Sequence, residues 1–328
     1  MPKIAFRAES DPKTGAWRLQ RCLALASGLK ESDPSCEITF LSHARDAQAI
    51  ARCGFAHAQL GDLTLTSWDL DATAEKVGEL GADMLVVDRP AADEGFLSSL
   101  AGKVKTLAAF GDSVRLKSYA AHALIDPSIH AHLAEYPCDG ALFLGTEFAL
   151  LPPEFDEFQE FRCANPEKAR RLLVYFSGQD HALDAVRLLK SLPGQFSATV
   201  LSDGEELARE IGLDPRFNSM RNEGNLARRL AACDFAITGP ESLCEPALFA
   251  LPTALIGESP ASDYAAKNGL ALSLGAAGGL DPQGAMSLEA LLSDKQARDR
   301  MSARLSELVD GMGRFRLAEE LLELHRGK

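Results

Sequence analysis

No stretch of the sequence approaches the roughly 18 consecutive apolar residues that a bilayer span requires. The opening Met1-Pro2-Lys3 runs straight into a strand-like segment without a signal-peptide pattern. A membrane is therefore not an expected partner, and the cytoplasm is the expected compartment. Positive charge is also scarce. There are 34 Lys and Arg against 47 Asp and Glu, for a net charge of −13, and basic residues gather only in pairs such as Arg170-Arg171 and Arg228-Arg229. Such a surface repels nucleic acid and anionic lipid. The seven cysteines, Cys22, Cys36, Cys53, Cys138, Cys163, Cys233 and Cys244, include no C-x-x-C pair. That argues against a disulfide frame or a zinc site, and the thiols read as small buried hydrophobes.

What is present is an ordinary globular composition, 46% hydrophobic and 25% charged over 328 residues, enough for two domains of roughly 150 residues each. Strand-like apolar runs at 4–6, 38–41, 82–88, 104–110, 123–125 and 141–144 alternate with helical patterns, the rhythm of a parallel sheet covered by helices. Two prolines and an acidic run, Pro152-Pro153-Glu154-Phe155-Asp156-Glu157, interrupt the pattern and set the expected boundary between domains 1–151 and 152–328. The rhythm restarts with strands at 171–176, 198–201, 235–238 and 253–256 and helices at 184–190, 226–232, 242–249 and 262–267. It closes with an amphipathic stretch broken at Asp310-Gly311-Met312-Gly313.

Chemistry is expected at the loops leaving these strands. The first strand feeds a loop and a helix start at Lys13-Thr14-Gly15-Ala16-Trp17-Arg18-Leu19-Gln20-Arg21, a place where α/β proteins hold phosphates and sugars. Arg18 and Arg21 share a helical face and could bring local positive charge to an anionic ligand. A solvated surface role is the bland alternative for each. His43, Asp88 and Asp112 each follow a strand at the sheet edge and are candidate bases, with capping or turn formation as the alternative. In the second half Gly239-Pro240-Glu241-Ser242-Leu243-Cys244-Glu245 follows a strand and opens a helix, with Ser242 as the expected N-cap. Glu245 is either a ligand carboxylate or the acidic member of a capping box. Gly178, in Ser177-Gly178-Gln179-Asp180, would let backbone approach a phosphate, or would simply turn the chain.

Arg21-Cys22-Leu23-Ala24-Leu25-Ala26, the linker Leu144 to Phe155, the opening of the second half at 172–180 and the turn at 308–313 together resemble the nucleotide-sugar hydrolases of pseudaminic acid biosynthesis and their spore-coat polysaccharide relatives. The resemblance implies an α/β fold of GT-B type, two doubly wound Rossmann-like domains facing a cleft, with the sugar site in the first and the nucleotide in the second. It implies UDP release from a UDP-linked diacetamido-trideoxy altrose sugar, for flagellin or surface glycosylation, without metal or other cofactor. Other enzymes of sugar biosynthesis are further expected partners. Gly15, Arg21, Gly178, Ser242 and Glu245 map to substrate binding, Glu245 to the ribose hydroxyls.

Three loops depart from that family's pattern. Arg18 stands where the family has its catalytic histidine, and an arginine cannot act as a base at physiological pH. Pro240 and Glu241 stand where it has glycine and serine, and Glu258-Ser259-Pro260-Ala261-Ser262 replaces its asparagine-glutamine pair. A glycosyltransferase on the same scaffold and a non-catalytic nucleotide-sugar binder therefore remain alternatives to the hydrolase.

Overall fold

The computed structural model describes all residues except 12–14, 62–65, 113, 178–180, 203, 221–223, 279–281 and 328. In the first half the central apolar runs are buried on both faces, as the pattern of Met84–Asp88 illustrates with every residue buried. Such strands are stable only when helices cover both sides, which favours parallel pairing. Strands β1 (Lys3–Ala8), β2 (Glu37–Ser42), β3 (Ala56–Gln59), β4 (Met84–Asp88), β5 (Thr106–Phe110), β6 (Ala123–Asp126) and β7 (Ala141–Leu144) form one sheet in the order β3-β2-β1-β4-β5-β6-β7. Every pairing in it is parallel. Helices α1 (Trp17–Ser32), α2 (Ala47–Arg52), α3 (Thr66–Leu80) and α4 (Glu94–Ala101) connect the strands.

Alternation along β1 sends Ile4, Phe6 and Ala8 into one core layer, where the Phe6 and Phe40 rings stack with centroids 4.8 Å apart. Ala5 goes to the other layer, with Val77 of α3 and Phe96 and Leu97 of α4.

The second sheet is also parallel and doubly wound: β8 (Arg171–Tyr175), β9 (Ser197–Leu201), β10 (Phe217–Ser219), β11 (Phe235–Thr238), β12 (Thr253–Leu255) and β13 (Leu272–Ser273), in the order β10-β9-β8-β11-β12-β13. Around it run α5 (Ala182–Ser191), α6 (Glu205–Ile211), α7 (Leu226–Ala232), α8 (Cys244–Leu248), α9 (Pro260–Lys267), α10 (Pro282–Ser293) and α11 (Lys295–Leu305). Among the described residues no helix is long and apolar enough to cross a membrane.

The chain divides into two compact units, the second being Glu154–Gly311 apart from a short amino-terminal segment. The last helix, α12 (Gly313–Arg326), belongs to the first unit, although its sequence position had assigned it to the second. Its apolar stripe explains why: Leu317, Ala318, Leu321 and Leu322 complete the core layer that holds Ile4 and Phe6. At its end the His325 imidazole meets the Thr106 hydroxyl at 2.9 Å.

The crossing of α12 on α1 is close enough to need a glycine. A Cβ on Gly28 would lie 2.6 Å from the Arg314 carbonyl oxygen, which is backbone and cannot swing away. Overpacking of this kind costs about 1–3 kcal/mol. Gly28→Ala is therefore expected to lower the melting temperature of the first unit by several degrees. Differential scanning calorimetry checks this, and an unchanged transition would show that the helices separate freely.

Candidate functional site

In each sheet the chain winds outward from a central strand pair, β1 and β4 in the first and β8 and β11 in the second. At such a switch point the loops leaving the carboxyl ends of the two strands diverge, and ligands of open α/β sheets bind there. The polar residues buried at these two edges are the candidate site of each unit.

In the first unit, strand alternation sorts those residues onto the two faces of the sheet. Asp88 continues the row of Met84 and Val86, facing α1, and Asp112 lies two residues beyond Phe110 of that same layer. Arg21 of α1 joins them. Its Nε donates to Asp88 Oδ2 at 2.6 Å and its Nη2 to Asp88 Oδ1 at 2.8 Å, while Nη1 and Nη2 donate to the Asp112 carboxylate at 2.8 and 2.7 Å. The guanidinium lies 4.0 Å from the Phe110 ring centre and 4.4 Å from that of Trp17. Arg18 also stacks on Trp17, at 4.3 Å, with its Nε 3.7 Å from Asp88. Two arginines thus face two carboxylates, and the positive charge expected of Arg18 and Arg21 is balanced where it stands.

These carboxylates titrate as a pair. Burial pushes Asp88 above its ordinary value against the pull of Arg21. Burial also acts on Asp112, but the Arg21 guanidinium outweighs it and holds that carboxyl below its ordinary value. Gly15, in the loop before α1, has φ of 78°, a left-handed backbone that favours glycine.

On the opposite face a second cluster forms, of which the sequence reading had picked out only His43. Arg7 continues the row of Ala5 and is 1% exposed. It donates through Nε and Nη2 to Asp69 Oδ1 at 3.1 and 2.9 Å, through Nη2 to Glu9 at 2.8 Å and through Nη1 to the Leu41 carbonyl at 3.3 Å. His43 Nε2 lies 2.8 Å from Glu9 Oε2. Burial would raise the Glu9 carboxyl, but Arg7 overrides this and keeps it below its ordinary value. Through this contact Glu9 orients the imidazole of His43, whose Nδ1 is buried. Arg89, just past β4, sets its Nε 2.7 Å from Asp69 Oδ2 and 3.9 Å from Glu9 Oε1. The signal for this cluster was a charge inside an apolar strand: Arg7 within Ile4-Ala5-Phe6-Arg7-Ala8 needs buried carboxylates. Which carboxylates, from residues 9 and 69, only the tertiary structure says.

In the second unit, the β8 and β11 ends are tied together. The Tyr175 hydroxyl donates to the Ser242 carbonyl at 3.1 Å, and the Ser177 and Ser242 hydroxyls form a short hydrogen bond. Ser242 is consequently not the N-cap the sequence suggested. It ends a 3-10 turn, Pro240–Ser242, and α8 starts at Cys244 without a side-chain cap. The capping-box role for Glu245 goes with it. The partly buried Glu245 carboxyl is pushed up to about 7 by its dry surroundings, with Glu241 adding like-charge repulsion. Gly178 lies outside the described residues. Among the described residues no group of three or more His, Cys, Asp or Glu side chains is arranged to hold a metal ion.

Two parallel, doubly wound sheets, each with buried polar groups at its switch point, define a two-domain α/β protein of the GT-B fold. Solved structures similar to it include the spinosyn forosaminyltransferase SpnP, with a TM-score of 0.71 and 14% identity over 99% of each chain. The S. aureus MnaA-UDP co-structure matches with a TM-score of 0.70 at 12% identity, over 98% of this chain and 96% of that one. MurG of Acinetobacter baumannii matches at 0.68 and 9% identity, over 98% of this chain and 100% of its own. The likeness is one of fold. No protein-family model matches the sequence, and neither does any curated protein. The resemblance to the pseudaminic acid hydrolases therefore rests on the sequence motifs alone.

Proposed function

We propose that the protein is a nucleotide-sugar enzyme in which an activated hydroxyl attacks the anomeric carbon of a UDP-sugar. The observation that carries the reading is the His43–Glu9 pair, 2.8 Å apart at the carboxyl edge beside the first switch point. A histidine oriented by an ionised carboxylate is the arrangement a general base needs, and it stands in for the histidine that Arg18 replaces. His43 takes the proton of the incoming hydroxyl, the new glycosidic C–O bond forms, and the old bond to the diphosphate breaks with its electron pair leaving on UDP. In the second unit Glu245 accepts from the ribose hydroxyls, and Ser177 and Ser242 border the diphosphate. Gly15 and the paired Arg18 and Arg21 shape the sugar side, with Asp88 and Asp112 holding Arg21 rather than serving as bases.

The incoming hydroxyl belongs to an acceptor molecule in the reading we favour, a glycosyl transfer. Hydrolysis of a diacetamido-trideoxy altrose donor, favoured by the motif resemblance, is the same step with water. A UDP-release assay over a panel of UDP-sugars separates them. Release only with acceptor marks a transferase, and release in buffer marks a hydrolase. In either case His43→Gln is expected to lower kcat about 100-fold or more. Full activity in that variant removes the proposed base, and no release under any condition leaves a nucleotide-sugar binder.

A further inference from the structure

Arg7 and Arg89 enter the same buried cluster but differ in how they are satisfied. Arg7 makes four hydrogen bonds. Arg89 is 8% exposed and its Nε faces Asp69 Oδ2 at 2.7 Å, but its buried Nη1 has no hydrogen-bond partner among the described residues. A buried guanidinium N–H without an acceptor is costly, and such a group in a folded protein calls for an explanation. A planar guanidinium edge matches the two oxygens of a carboxylate or phosphate. The position is informative as well, because one carboxylate touches both residues: Glu9 meets His43 through Oε2 and faces the Arg89 Nε, 3.9 Å away, through Oε1.

We infer that Arg89 is a binding residue for an anionic group, a carboxylate or a phosphate ester, on the molecule that supplies the attacking hydroxyl. Gripping that group beside Glu9 brings the hydroxyl to His43 and selects an anionic acceptor over water or a neutral sugar. Arg7 is the structural member of the pair, hydrogen-bonded to both Glu9 and Asp69, and Arg89 is the one that reads the ligand. The assignment of this ligand as the acceptor rests on the transfer reading above, whereas the anion site itself does not.

The test uses the full chain and two probes, inorganic phosphate and acetate, followed through the NMR signal of the His43 ring. One of the two is expected to shift that signal saturably, phosphate marking a phosphorylated acceptor and acetate a carboxylated one. Arg89→Gln is expected to weaken that binding at least tenfold and leave UDP binding unchanged, and Arg89→Lys, which keeps the charge but loses the fork, to fall between. If Arg89→Gln does not fold, the native chain and the lysine variant decide. A His43 signal that neither anion moves, or equal affinity with and without the Arg89 fork, overturns the inference. Failure of UDP to bind the native chain while the anion still binds would instead remove the nucleotide-sugar reading.

Discussion

Arg21→Met is expected to cost the first unit about 3–5 kcal/mol at neutral pH, because it removes the guanidinium that hydrogen-bonds both the buried Asp88 and the partly buried Asp112 and leaves them only the more distant charge of Arg18. In the native protein the two carboxylates act oppositely on stability. Asp112 is held below its ordinary value, so its contribution is present above the unfolded value and lost as the pH falls through the folded one. Asp88 is held above its ordinary value, so its folded form keeps a proton the unfolded chain gives up, and its contribution declines as the pH rises through that range. With Arg21 gone, burial acts on both against only the weaker pull of Arg18, joined at Asp112 by Arg115, and both titrate upward. The variant should then be least stable at about pH 8 and recover towards about pH 5, where protonation removes the buried charge. Urea denaturation at the two pH values measures this. A variant within about 1 kcal/mol of the native protein at both would mean that the pair is solvated rather than buried.

The second large effect is at Glu245, where binding and stability should move in opposite directions. A carboxyl raised to about 7 keeps its proton in the folded state while the unfolded chain loses it from its ordinary value upward. Native stability is therefore lost as the pH rises between those values, and it stays lower above about 7. Glu245→Gln removes that dependence and should be the more stable protein at alkaline pH. It should also bind a UDP-sugar at least tenfold more weakly there, since an ionised carboxylate accepts from two ribose hydroxyls and an amide oxygen does so less strongly. In the native chain, affinity should increase with pH through about 7; a UDP-sugar suits this test because its diphosphate diester does not titrate in that range. A variant that is less stable and binds equally well would make Glu245 a packing residue. Strain held at a site and released by its removal is the pattern expected of function.

The two sheets were legible in the sequence because each central strand is a short apolar run buried on both faces, as in Leu172-Leu173-Val174 or Ala236-Ile237. Three of the four edge strands, β3, β10 and β13, were not, whereas β7 was. Ala56–Gln59 and Leu272–Ser273 are edge strands of four and two residues with partly exposed side chains, too short to show a period. The return of α12 to the first unit was invisible for another reason: an amphipathic stripe says that a helix packs, and only the fold says on what. At the candidate sites, His43, Asp88 and Asp112 could be read from their places after strands. Their roles could not, since Asp88 and Asp112 turn out to hold Arg21, and His43 gains its meaning from Glu9, 34 positions away. Arg89 was missed because one arginine after a strand looks like many others until its buried, unpartnered Nη1 is seen.

The most direct test of a nucleotide-sugar role is amide hydrogen exchange of the full chain with and without UDP. The account predicts slowed exchange in peptides spanning the end of β8 at 171–177 and the β11–α8 segment at 235–249, with peptides of the peripheral strands β10 and β13 unaffected. Protection that is absent from both central segments, or that appears only elsewhere in the chain, would contradict it.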